Sequence, residues 1–266
     1  GGFAGELAAS APRLALGHCE MRGTTLYGKL TVTSERPGFE GPLRLAALAC
    51  PDQALSVESA ALQVTARADQ ALTRFDGEAG LRAGAARMGT NRLAALGGEG
   101  EFTWRAEGLT ARYDLDGTDL VTGAARAAGV GIDGSLRTRR DFARIEVDAR
   151  LSGQGVGPGE AAQATLAGAE NATRDTLLGP LLARIRGALM AESRASTLSA
   201  ELTLRRTDGN VSLIVPQATL RSGRGVSLMA VSRVQGVLEP GRNARFSGNF
   251  ASNGGDLPRL AGRLEQ

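Results

Sequence analysis

The chain has 266 residues, 42% of them apolar, with 37 glycines and a formal charge of +3, enough to bury a core in one large all-β domain or two ordinary ones. One tryptophan, two tyrosines and seven phenylalanines leave Leu, Val and Ala as the main core formers, which fits a wide sheet with a thin apolar layer better than a thick globule. The basic residues are arginines apart from Lys29, and the cluster Arg137, Arg139 and Arg140 sits beside Asp141 without interleaved aromatics, so nucleic acid is not an expected partner.

The elements follow in chain order. Leu30 and Val32 alternate with polar neighbours in "LYGKLTVT", Phe102 and Trp104 in "EFTWRAEG", and Leu109, Ala111, Tyr113 and Leu115 in "LTARYDL". Ile145, Val147, Ala149 and Leu151 do the same in "ARIEVDARLS". Each is the period-two pattern of a half-buried strand. Asp-Gly pairs at Asp76, Asp116 and Asp133 predict turns, the second placing Tyr113 across from Leu120. The Gly-rich stretch from Ser152 to Gly168 predicts a long loop or weak strand.

One segment changes period. Between Thr173 and Ser193, Leu178, Leu181, Leu182, Ile185, Leu189 and Met190 recur near every 3.6 residues, and Pro180 suits a first helical turn. The spacing predicts an amphipathic helix over about 173–193, of about four turns, with its stripe packed on a sheet. A membrane-surface role for Arg184, Arg186 and Arg194 is the alternative, without an aromatic anchor.

The clearest hairpin is "LSAELTLRRTDGNVSLIVPQATL", Leu198 to Leu220. A two-residue turn at Asp208 and Gly209 pairs Thr207 with Asn210, then Leu204 with Leu213 and Leu202 with Val215, all four apolar side chains on one face. Arg205, Thr203, Glu201 and Ser212 take the other face, with Ile214 as an exception. Pro216 cannot donate to a ladder, so the strand is an edge or is bulged there. The whole is a meander of roughly 14 strands, on the order of 65 Å across at the usual strand spacing, and a sheet that wide curls.

Residues for covalent chemistry are sparse. His18 is the only histidine, no Gly-x-Ser-x-Gly elbow or phosphate loop occurs, and the Asp114, Asp116, Asp119 cluster fails the EF-hand pattern at Asp119 and Ala125. No metal site, cofactor or enzymatic activity is expected. Cys19 and Cys50 are buried thiols or one disulfide, the latter requiring an oxidising compartment. No apolar run approaches the roughly 18 to 20 residues that cross a bilayer, and "GGFAGELAAS" lacks the order of a signal peptide, so any membrane anchor is expected outside these residues.

The stretch "LALGHCEMRGTTLYGKLTVT" followed by "LRLAALACPDQ", with Cys19 and the Cys50-Pro51 pair flanking alternating strands, resembles the AsmA-like proteins of the YdbH type. "TLLGPLLARIRGAL" and "GGDLPRLAGRLEQ" are similar to further segments of that family. The resemblance implies a periplasm-spanning protein anchored in the inner membrane of a Gram-negative bacterium, meeting partner proteins at the outer membrane, whose sheet carries phospholipids between the two membranes. It also implies a Cys19–Cys50 disulfide.

The expectation is therefore an all-β chain with one amphipathic helix, a long curled antiparallel sheet forming an open groove, residues 1–266 being one elongated segment of a longer envelope protein. Leu202, Leu204, Leu213, Val215, Ile145, Val147, Tyr113 and Leu115 would line the groove and meet phospholipid acyl chains. The rival expectation is a closed β-sandwich with a structural role, in which the apolar faces cover each other. A hydrolase of an envelope polymer is a third reading, and it would need carboxylates clustered in a cleft.

Overall fold

The computed structural model describes residues 2–207, 209–238, 245–252 and 260–265. Among them are 17 strands of one antiparallel sheet and two α-helices. Contacts divide the chain into two units, Gly1–Gly117 with Asp133–Ile145, and Thr118–Ile132 with Glu146–Gln266. The strands β9 (Gly108–Val121) and β10 (Ala125–Arg139) contribute to both.

The first unit is built from β1 (Gly2–Leu16), β2 (Cys19–Thr33), β3 (Arg36–Cys50), β4 (Leu55–Ala68), β5 (Arg74–Ala83), β6 (Ala86–Met88), β7 (Asn91–Leu93) and β8 (Ala95–Arg105). Successive strands pair from β1 to β5, and β8 then pairs with β5. The short β6 and β7 extend the ladder beside the far end of β4. Cys19 and Cys50 close the β2–β3 pair one step beyond Glu20 and Ala49, joined by a disulfide with Cα atoms 4.2 Å apart.

A line of irregular residues crosses this unit. The β1–β2 register skips Pro12 opposite Gly23, which has φ 59°, and Ala46 lies against that glycine from β3. Ser59 of β4 has φ 56° and accepts a hydrogen bond from the Gly84 amide at 3.0 Å, just where β5 gives way to β6. The apolar residues change from even to odd numbers across the line, Leu26 to Met21 in β2, and Leu62 to Val57 in β4.

The Asp-Gly signals at Asp76, Asp116 and Asp133 do not make turns. They lie inside β5, β9 and β10, and β9 runs straight through Gly117, so Tyr113 and Leu120 belong to one strand rather than facing each other. The local preference for a turn loses to a sheet that requires strands of 10 to 15 residues here. Gly77 instead makes room for the Phe102 ring opposite, whose Cζ stands 2.6 Å from where a Cβ would be. The turns that do form use other residues, including Ser34 and Glu35, both at positive φ.

The second unit contains β11 (Arg144–Gln154) from Glu146 onward, β12 (Gly157–Pro158), α1 (Glu160–Ala172), α2 (Leu178–Glu192), β13 (Thr197–Thr207), β14 (Asn210–Arg221), β15 (Ser227–Leu238), β16 (Arg245–Ser252) and β17 (Leu260–Glu265). Consecutive strands pair from β13 to β17, and β11 pairs with β13. The expected long loop or weak strand over 152–168 is corrected: β11 continues to Gln154 and β12 is a short strand, but α1 takes the rest after Gly159. Its sequence is Ala-rich with only Leu166 as a large apolar residue, so it favours helix by propensity without showing a stripe.

The expected helix is α2, with Pro180 in its first turn. Its stripe does not pack on a broad sheet face: α1 is its main partner, with a smaller contact to β12, and Arg186 Nε donates to Glu170 Oε2 at 2.7 Å across the pair. The pair is rooted where Gln163 Nε2 donates to the Pro158 carbonyl and the buried Ser196 hydroxyl donates to the Val156 carbonyl. Leu177, at the apex, is 96% exposed.

Candidate functional site

The Leu198–Leu220 hairpin forms with Thr207 opposite Asn210 and Leu204 opposite Leu213, as its spacing predicts. Asp208 of the expected turn lies outside the described residues. Pro216 marks a register shift: Thr203 faces Ile214, but Glu201 faces Gln217, so Val215 and Pro216 together stand opposite Leu202. Because β14 pairs on both sides, it is bulged and not an edge. The extra residue returns Ala218 and Leu220 to the side already occupied by Leu213 and Val215.

Following the register across the second unit extends this face. Leu204, Leu213, Gly236 and Phe246 form one row, and Ala200, Ala218, Val231 and Phe250 another. Val215 faces Val234, and Leu198 faces Leu220, which faces Met229. The Phe246 ring lies over Gly236, 2.5 Å from where a Cβ would stand, so the glycine is filled by its neighbour's ring. On the reverse side, Thr203 Oγ1 donates to Asp148 at 2.7 Å and Arg205 Nε to Glu146 at 2.9 Å. Alternation then puts Val147 and Ala149 on the same side as Leu202 and Leu204.

The first unit repeats the arrangement. Leu26, Leu43, Leu62 and Leu81 stand in one row over four strands, and Leu30, Phe39, Ala66, Gly77 and Phe102 in another, with Gly41, Val64, Ala79 and Gly100 between them. Beyond the irregular line, Leu14, Met21, Leu48 and Val57 make a further row. Tyr113 and Leu115 of β9 lie against Gly100 and Gly98 of β8. No charged side chain interrupts any of these rows.

The opposite face of the first unit is polar. Thr103 Oγ1 donates to Asp76 at 2.7 Å, and Arg74 pairs with the same carboxylate at 2.7 Å. The Arg74 hydrogen bond, with the Thr103 hydroxyl second, holds Asp76 below the ordinary carboxylate range. A cleft of about 990 Å³ opens on this side, among Thr65, Arg67, Glu78, Glu101 and Arg112. A twisted sheet is saddle-shaped, so a polar face can be concave as well as an apolar one.

All eight residues expected to line a groove are half-buried. The structure divides them: Leu202, Leu204, Leu213, Val215 and Val147 share a face in the second unit, while Tyr113, Leu115 and Ile145 belong to the first. Sequence reasoning missed the row from Leu26 to Leu81, although each member sits in an alternating stretch. It also missed Ala218, Leu220 and Val231, whose phase is reset by the bulge.

These features define a long antiparallel β-sheet protein in which each unit has an apolar and a polar face. Residues 4–266 match the model of the YdbH-like family, described as intermembrane phospholipid transport protein YdbH, and the chain belongs to that family. It is a lipid-transport family and not an enzyme family. Comparison with curated proteins and with solved structures gives no match. No helix among the described residues is long and apolar enough to cross a membrane.

Proposed function

We propose that this chain is a periplasmic groove segment of an inner-membrane-anchored protein that passes phospholipids between the inner and outer membranes of a Gram-negative envelope, with partner proteins at either end. The observation that carries the reading is the run of apolar rows without a charge. Leu202, Leu204, Leu213, Val215 and Val147 form one stretch of the wall, and Tyr113, Leu115 and Ile145 another. Each acyl methylene moved from water onto such a wall gains about 0.8 kcal/mol, so half of a sixteen-carbon chain gains several. Leu and Val offer no hydrogen bonds, which leaves a lipid free to slide.

Two facts support an open face over a closed sandwich. Only six apolar side chains are buried among the described residues, five of them alanine or cysteine, where a sandwich would bury leucines and phenylalanines in numbers. The helices, the elements able to cover a sheet, pack mainly on each other. The Cys19–Cys50 disulfide suits the oxidising periplasm.

The test is native mass spectrometry of the chain purified from a bacterial envelope, with extraction of bound lipid, beside a variant carrying Leu204→Asp and Leu213→Asp. Phospholipid that accompanies the wild-type chain and is lost from the folded variant is expected. A folded wild-type chain that holds no lipid, and takes up none added in detergent, would return the reading to a closed structural module.

A further inference from the structure

Three neighbouring turns of the first unit meet at one end of its strands. Arg74 and Arg105 are directly paired across β5 and β8, and the Arg140 amide donates to the Glu107 carbonyl at 3.0 Å, which brings the β8–β9 and β10–β11 turns together. Trp104 and Phe142 lie with ring centroids 6.5 Å apart. The sequence cluster of arginines, which has no aromatic interleaved among Arg137, Arg139 and Arg140, thus acquires aromatic neighbours through the fold.

Large apolar residues occupy the tips. Leu72 in the β4–β5 turn is 57% exposed at φ 57°, and Phe142 in the β10–β11 turn is 48% exposed at φ 55°. The left-handed region is disfavoured for both residue types, and exposure adds no burial to offset it, so their presence at equivalent tip positions points to a use outside the fold. Phe75, directly opposite Trp104, adds a third exposed ring.

The β10–β11 turn is the cationic one of the three. Residues 137–144 hold four arginines against Asp141, a net +3 that equals the formal charge of the whole chain. Arg139 and Arg140 enter no salt bridge among the described residues, and together with Glu107 and Asp141 they line a recess of about 530 Å³. Arg74 and Arg105 are directly opposed, and Asp76 beside Arg74 is the anion that offsets them, which leaves Arg139 and Arg140 as the cations of the rim without a carboxylate partner among the described residues.

We propose that this strand-end rim docks on the surface of a bilayer containing anionic phospholipid, with Leu72, Phe75 and Phe142 entering the interface and Arg139 and Arg140 meeting lipid phosphates. Exposed apolar side chains with unpaired arginines beside one of them have the chemistry of an interfacial anchor, with a tryptophan suited to the headgroup level. The inference stands on the rim's own residues and goes beyond the transport reading.

Trp104 is the only tryptophan, so its emission reports directly on this rim. The full chain is titrated with vesicles of phosphatidylglycerol in phosphatidylcholine and with phosphatidylcholine alone, following Trp104 emission and co-sedimentation. A blue shift and pelleting with the anionic vesicles are expected, weakening as salt rises. Leu72→Ser with Phe142→Ser, and separately Arg139→Gln with Arg140→Gln, should each weaken vesicle affinity at least tenfold with an unchanged circular dichroism spectrum. Absence of any shift or pelleting with anionic vesicles overturns the proposal, as does undiminished binding by both variants. Should a variant fail to fold, quenching of wild-type Trp104 by brominated lipid decides: its absence overturns the docking geometry. Bound lipid is measured on the same samples, so a chain that holds lipid but does not dock sinks this inference alone, and one that docks but holds none sinks the groove alone.

Discussion

Val215 and Ala218 face the same side of the sheet although they are three residues apart, because Pro216 adds a residue to β14 opposite Leu202. The bulge keeps the second half of the strand in phase with its neighbours. Ala218→Ser with Leu220→Ser, which withdraws the apolar side chains that the bulge keeps on this face, should cost about 2–3 kcal/mol. A lowered urea midpoint is expected, with an unchanged slope. An unaltered midpoint would mean that the phase of this strand does not matter to its stability.

The Cys19–Cys50 bond spans 31 positions. For a loop of that size the chain-entropy model gives about 3–4 kcal/mol. Urea unfolding with and without reductant should separate by that amount for the wild-type chain, whereas a Cys19→Ser, Cys50→Ser variant should unfold alike in both. Equal wild-type curves would show that the bond leaves stability untouched.

Gly77 has no room for a side chain. A Cβ there would stand 2.6 Å from both the Phe102 ring and the Thr65 carbonyl oxygen, and the carbonyl cannot step aside. Gly77→Val should therefore lower stability by about 1–3 kcal/mol, despite the better strand propensity of valine. Gly80, with nothing within 4 Å of its Cβ position, is the control at which an alanine should be tolerated.

Acid should loosen the helical pair. The hydrogen bond from Arg186, reinforced by its charge, holds the Glu170 carboxyl below its ordinary value of 4.5. A depressed carboxylate contributes stability that is fully present above the ordinary value and is lost as pH falls through the lower folded one. The protection of α1 amides against hydrogen exchange, taken relative to the intrinsic rate at each pH, should fall on acidification below the ordinary carboxylate range. Glu170→Gln should show reduced protection already at neutral pH and little further change in it on acidification. A variant that responds to acid as strongly as the wild type would assign the loosening to another group.

Legibility followed the range of the forces involved. Leu204 facing Leu213 was readable because alternation and one Asp-Gly lie within a few residues of each other, and Pro216 announced its irregularity through the missing amide. Asp116 and Gly117 misled for the same reason: a local turn preference says nothing about the strand on either side that keeps β9 extended. The α1 helix was hidden by alanines, which favour helix without drawing a stripe. The row from Leu26 to Leu81 depends on three separate registers, each set by pairing between strands, so no window along the chain contains it. The polar cleft among Arg67, Glu78 and Arg112 is a product of curvature and has no linear signature.

In β13 to β17 each strand hydrogen-bonds to the next one in sequence, and this gives the second unit nearly one-dimensional energetics. Contacts are short in chain separation, which favours quick closure of each hairpin once its predecessor is in place. Stability then accrues as a sum of nearest-neighbour steps, as in stacked repeats. A defect in one hairpin should remain confined to its two neighbours, and a sheet of this kind can be lengthened or shortened by whole hairpins without redesigning the rest.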